Sequence, residues 1–167
     1  FWATWCGPCR MANKTMAPTL LGWGVQASTC INLARVLTIY GNGVYGEGIT
    51  NYIQDLSGLG YDFTPDPQDA AKVQTMPMWG WYGAARINIL PQRLFISGGY
   101  SEAHIQQKHG YFSGDQYRNG QYIFGNIFYN FTSRCSIAAE YLYGSRENRD
   151  GMKNHANRVS MQVQYNF

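Results

Sequence analysis

Two cysteines three positions apart, Cys6 and Cys9, are the residues whose type and spacing bear most directly on chemistry. A CxxC pair can cycle between dithiol and disulfide: one thiolate attacks a substrate disulfide and the other thiol resolves the mixed intermediate. Cys30 and Cys135 stand alone, so the cysteines do not form a disulfide framework. Zinc needs four ligands, and the two later cysteines fall in predicted strands at positions unsuited to join the first pair. His104, His109 and His155 lie in or near predicted loops without metal spacing and read as solvated. No metal and no cofactor is expected.

A second group is Arg86, Glu140 and Arg158. Each sits on the polar side of a segment that alternates apolar and polar residues. The clearest such segment is the last, HANRVSMQVQYNF. Val159, Met161, Val163, Tyr165 and Phe167 share one parity; Arg158, Ser160, Gln162, Gln164 and Asn166 share the other. This period of two predicts a strand with one apolar and one polar face. A soluble sheet buries its apolar face under helices or a second sheet, and the upstream segments repeat the alternation without supplying a helix. Lipid on one face and water on the other is the arrangement of a transmembrane β-barrel. Arg on the lipid face at mid-depth costs about 2–4 kcal/mol, which turns Arg86, Glu140 and Arg158 toward the lumen. There the arginines attract anions and set selectivity; nearer the rim they would simply pair with other charges. Both readings stand.

The elements that must position these residues are long alternating segments. Leu21, Trp23, Val25, Ala27, Thr29, Ile31 and Leu33 alternate with polar or small residues. That run exceeds the usual 5 or 6 residues, roughly, of a soluble strand and reaches the about 9–11 that cross a membrane. Similar segments cover 36–46, 79–89, 93–106, 123–131 and 136–143, making seven strands with the last. At Glu102 and His104 the alternation fails, so that outer end is expected to leave the membrane. Short turns fall near 34–35, 91–92 and 132–134, and long polar loops at 47–75, 107–119 and 145–154. Short connections at one end and long ones at the other are a barrel trait, with the short ones periplasmic. The loop 47–75 carries Asp55, Asp62, Asp66 and Asp69 and is read as solvated, a loop folded into the pore being the alternative. Trp79, Trp81, Tyr143, Tyr165 and Phe167 are candidates for interfacial aromatic belts.

Composition permits this reading without requiring it. Aromatic residues are 16% and charged residues 14% of the chain, against about 25% charged in an average globular protein. No run approaches the roughly 20 apolar residues of a membrane helix. A net charge of +3 is too small to argue for nucleic acid. Seven strands cannot close a single-chain bacterial barrel, which has an even number of at least eight. The chain, starting at Phe1 without an export segment, therefore reads as a fragment or processed piece of a larger barrel. The alternative, a soluble sandwich, predicts shorter strands and no asymmetry of loop length.

Residues 20–167 resemble the C-terminal part of a DcaP-like outer-membrane porin of the Bacteroidetes type. The segments that carry the resemblance are GWGVQAST, YGNGVYGEGI, MPMWGW, QYIFGNIFYN, AAEYLYGSRENRDG and KNHANRVSMQVQYNF. The resemblance implies a larger, trimeric parent that passes small polar or anionic solutes. It also implies that Met161, Val163, Tyr165 and Phe167 are the signal read by the barrel-insertion machinery. Residues 1–11, FWATWCGPCRM, are similar instead to the active site of thioredoxin. That likeness implies a helix starting at the motif, whose dipole lowers the Cys6 pKa. Cys9 would then be the resolving thiol, with Trp5 shielding the site. The strand, helices and cis-proline loop that complete such a site are not found here. The two signatures belong to different folds, so the chain reads as chimeric or misjoined, with a boundary between 1–19 and 20–167.

The expected fold is all-β: about seven antiparallel strands of a transmembrane barrel after a short non-barrel segment. The expected function is a porin-like channel in the outer membrane, with its C-terminus periplasmic and its belt in contact with lipid. No catalysis is required. The alternative is a thiol–disulfide oxidoreductase of the cytoplasm or periplasm using Cys6 and Cys9; a third reading is a barrel serving as adhesin or surface receptor.

Overall fold

The structure, a computed structural model, describes residues 20–34, 36–66, 72–106 and 113–167. Cys6 and Cys9, with the whole thioredoxin-like segment, lie outside the described residues, as do Asp69 and His109.

One antiparallel sheet holds seven strands of 11–14 residues. In spatial order they are β1 (Trp23–Leu33), β2 (Leu37–Glu47), β5 (Pro77–Leu90), β6 (Leu94–Ile105), β7 (Tyr117–Asn130), β8 (Cys135–Asn148) and β9 (Lys153–Tyr165). The connection from β2 to β5 holds two single-turn 3-10 helices, Thr50–Tyr52 and Gln54–Leu56, and a small hairpin of β3 (Phe63–Pro65) and β4 (Val73–Thr75). The sheet is open, with β1 and β9 at its edges. The expected all-β class, strand number and antiparallel order are those observed.

Directly paired residues share a face, so the register sorts side chains into rows across the sheet. One row runs Leu33, Leu37, Ile87, Ile96, Ile127, Ala139 and Met161. One residue away, on the opposite face, runs Asn32, Thr38, Arg86, Ser97, Asn126, Glu140 and Ser160. The two faces are called apolar and polar below.

Several boundaries differ from the sequence expectation. β7 starts at Tyr117 rather than near Ile123, and β8 runs to Asn148, into a stretch expected to be loop. The β8–β9 connection is consequently the short turn 149–152, and the alternation of short and long connections fails there. The reason is physical. Beyond the apolar belt both faces carry polar residues, so alternation disappears while backbone pairing continues. The connection between β2 and β5 differs more: among its described residues, 49–56 and Met76 pack against the sheet rather than standing in solvent. Ile49, Ile53, Leu56 and Met76 join Met78, Ala103, Ile105 and Tyr117 in a buried cluster on the polar face. The buried apolar residues therefore gather where the sheet meets its own connection.

Candidate functional site

The polar row is held by short-range hydrogen bonds. Thr38 Oγ1 donates to Asn32 Oδ1 at 2.9 Å, and Ser97 Oγ donates to Asn126 Oδ1. Arg86 Nε donates to Asn88 Oδ1 at 3.1 Å, while its guanidinium carbon stands 3.7 Å over the Phe95 ring. Phe95 in turn stacks on Phe128 with centroids 4.6 Å apart. A guanidinium lying on an aromatic face keeps its charge and gains orientation. Arg158 Nη2 and Glu140 Oε1 form an ion pair at 3.2 Å, with side chains 63% and 34% exposed. At such exposure a pair contributes roughly 0–1 kcal/mol to stability. Its importance is therefore electrostatic: among the described residues it leaves Arg86 as the cation of the row with no carboxylate bonded to its guanidinium. The structure thus brings Glu140 and Arg158 together and sets Arg86 three strands away.

The sequence does not single out Arg146, because the alternation ends at Tyr143 while β8 continues to Asn148. Arg146 lies on the polar face, paired in register with Gly120. Its Nε donates to Asn148 Oδ1 at 2.8 Å, Nη2 donates to the Asp115 carbonyl at 3.3 Å, and the guanidinium carbon is 5.5 Å from the Tyr117 ring centroid. Beside it, Asp55 reaches the sheet from the second 3-10 helix. One carboxylate oxygen accepts from the Tyr117 hydroxyl and the other from the Tyr122 hydroxyl. Tyr122 lies flat because Gly144 has no side chain: a Cβ there would stand 2.9 Å from the Tyr122 ring. Burying each of Ile49, Ile53 and Leu56 contributes roughly 1.5–3 kcal/mol, and each hydrogen bond to the carboxylate about 1.5–3 kcal/mol. The apolar contacts together outweigh the clamp, which decides where the connection lies rather than whether it lies down.

The apolar face is exposed and has a sloping upper boundary. On β1 it is apolar up to Trp23. On β6, β7 and β8 it gives way above Tyr100, Ile123 and Tyr143, to Glu102, Gln121 and Ser145. On β9 it begins only at Val159, below Asn157. Glu102 accepts from Asn119 and Gln121 at 3.1 and 3.2 Å, and Glu147 pairs with Arg118 and Lys153, each at 3.2 Å. The register places Val159 in one row with Ile31, eight residues from Trp23, so from β1 to β9 the boundary slides about 27 Å along the strands over about 29 Å across the sheet, taking standard strand spacings. For a boundary level with a membrane surface this slope is a strand tilt of about 40°, within the range of outer-membrane barrels. Aromatic pairs mark both borders. Trp23–Tyr45 and Trp81–Tyr100 lie at the upper border, with Trp79 and Tyr143 beside His104 and His155. Tyr129–Phe131 and Tyr165–Phe167 lie at the other border, at the end with the turns after β1, β5 and β7. Met161, Val163, Tyr165 and Phe167 all face outward along the edge strand and beyond it, 55% exposed or more.

Among the described residues no group of His, Cys, Asp and Glu could hold a metal ion. Long antiparallel strands, opposed polar and apolar rows, two aromatic borders and a tilted belt define a section of transmembrane β-barrel wall. Among solved structures the chain is similar to the outer membrane channel DcaP of Acinetobacter baumannii, with a TM-score of 0.72 over 87% of this chain at 19% identity. It spans 41% of that channel's length. The likeness is one of fold. No family model and no curated protein matches the sequence.

Proposed function

We propose that this chain is part of the wall of a porin-like channel in the bacterial outer membrane, through which small polar or anionic solutes diffuse passively. The observation that carries the reading is the polar row from Asn32 to Ser160, unbroken across seven strands and backed by an apolar row at the same depth. A wall polar on one side and apolar on the other separates water from lipid. Arg86, Glu140 and Arg158 line the passage, and the Glu140–Arg158 pair leaves Arg86 to bias it toward anions. Further strands of a larger barrel cover the edges of β1 and β9, since unpaired backbone groups in lipid cost several kcal/mol each. The turns after β1, β5 and β7 share one end with Phe167, and that end is the periplasmic one. The outward face of β9 serves the insertion machinery, and the assembled parent is a homotrimer.

The test is the reversal potential of the full-length protein in planar bilayers under a salt gradient. Glu140→Gln releases Arg158 and is expected to raise the anion-to-cation permeability ratio several-fold. Arg86→Glu is expected to lower it by a similar factor. Neither should disturb folding, because both side chains sit on the polar face. A correctly folded protein that conducts no ions sinks the reading.

A further inference from the structure

Resting on the channel reading above, we infer that Phe124, followed along the wall by Phe128 and Phe95, forms a stacking track for saccharide rings in the passage. All three phenylalanines stand on the polar face. Phe124 shares a row with Ala84 and Gly99, and Phe95 and Phe128 pair directly in a row two residues further toward the periplasmic end than Arg86, Ser97 and Asn126 do from Phe124. None of the three belongs to the buried cluster beneath the connection, and each is only half-buried. A wall that merely faces water gains nothing from three such rings. Large apolar groups left partly exposed in polar surroundings mark a contact surface.

Gly99 sets the attitude of the first ring. A Cβ there would stand 2.8 Å from Phe124 Cε1 and 2.8 Å from the Ala84 side chain. Its absence lets the Phe124 ring lean across β6, with one face to the wall and the other to the passage. Phe128 follows four residues along β7, about 14 Å at the strand rise. It stacks on Phe95 with an interplanar angle of 13°, and the Arg86 guanidinium covers the far face of Phe95. Between the two aromatic rows lies the hydrogen-bonding row, with Ser97 donating to Asn126 and Arg86 held by Asn88.

This chemistry selects the ligand. The face of a phenyl ring is the negative end of its quadrupole and attracts C–H groups that carry partial positive charge. A pyranose presents such C–H groups on its flat sides and hydroxyls around its rim. The groups that meet the rim are the hydroxyls and amide of Ser97, Ser101 and Asn126. Glu140, which pairs in register with Asn126, is already bound to Arg158. A neutral polyhydroxyl ligand therefore leaves no new charge uncompensated.

The experiment is titration of the ion current of the full-length protein in planar bilayers with maltotriose, against sorbitol as an open-chain polyol. Maltotriose is expected to reduce the current saturably, and sorbitol at the same concentrations is not. Phe124→Ala and Phe128→Ala are each expected to raise the half-saturating maltotriose concentration by about tenfold, whereas Phe124→Tyr, which keeps the ring face, stays within about twofold of the native protein. The comparison of the two solutes in the native protein needs no variant and keeps the test decisive should Phe124→Ala fail to fold. Equal responses to maltotriose and sorbitol, or native saturation in both alanine variants, overturn the inference and leave the channel reading standing. A folded protein that conducts nothing in salt alone overturns the channel reading and the track with it.

Discussion

Ile127→Arg in the full-length protein is expected to prevent most of it from reaching the folded, heat-modifiable form, while Asn126→Arg is expected to fold normally. The two positions are neighbours on β7 and face opposite ways. Ile127 is 46% exposed on the apolar face, in a row between Ile96 and Ala139, midway between the aromatic borders. Arg at mid-depth on a lipid-facing strand costs about 2–4 kcal/mol. Asn126 sits on the polar face beside Ser97 and Glu140, where a guanidinium stays hydrated and finds a carboxylate. The measurement is the fraction that shifts on unheated gels after refolding into lipid vesicles. Equal behaviour of the two variants would mean that the faces are wrongly assigned.

Gly46→Val is expected to destabilise the pairing of β1 with β2, whereas Gly43→Ala on the same strand is expected to be nearly silent. A Cβ at Gly46 would overlap the Trp23 carbonyl oxygen and stand 2.6 Å from Gly24 Cα. Those are backbone atoms of the adjoining strand, which cannot swing aside as a side chain can. Overpacking of this kind costs about 1–3 kcal/mol, and the larger valine also displaces Ile49 from its seat. At Gly43 the nearest atom, Trp81 Cβ, is 4.0 Å away, so the expected change stays within roughly ±0.5 kcal/mol. Denaturant unfolding of the refolded protein in detergent distinguishes the two. A Gly46→Val midpoint equal to that of the native protein would show that β1 can yield at this contact.

The sheet was legible because each strand carries its own amphipathic signal wherever one side faces lipid. Val159, Met161, Val163 and Tyr165 identify β9 without reference to any other strand, and Trp23 to Leu33 do the same for β1. The signal faded where lipid ends. Residues 145–148 and 117–122 remain paired strand, yet their outward residues include Glu147, Ser145, Asn119 and Gln121. Arg146 was lost for the same reason. The connection 48–76 misled differently: its aspartates suggested solvent, but Asp55 is drawn to two phenols supplied by β7, and Ile49, Ile53 and Leu56 carry no regular period.

By itself the sequence determined which residues share a face, because a period of two is a property of the extended backbone that needs no partner to be read. It therefore placed Arg86, Glu140 and Arg158 on one side and Met161, Val163 and Tyr165 on the other. Only the tertiary structure decided which side chains meet. The Glu140–Arg158 contact, Arg86 over Phe95, the clamp on Asp55 and the slope of the belt all depend on register and twist between strands far apart in sequence. Those are set jointly by the whole sheet, through backbone pairing that every residue can make and no single segment specifies.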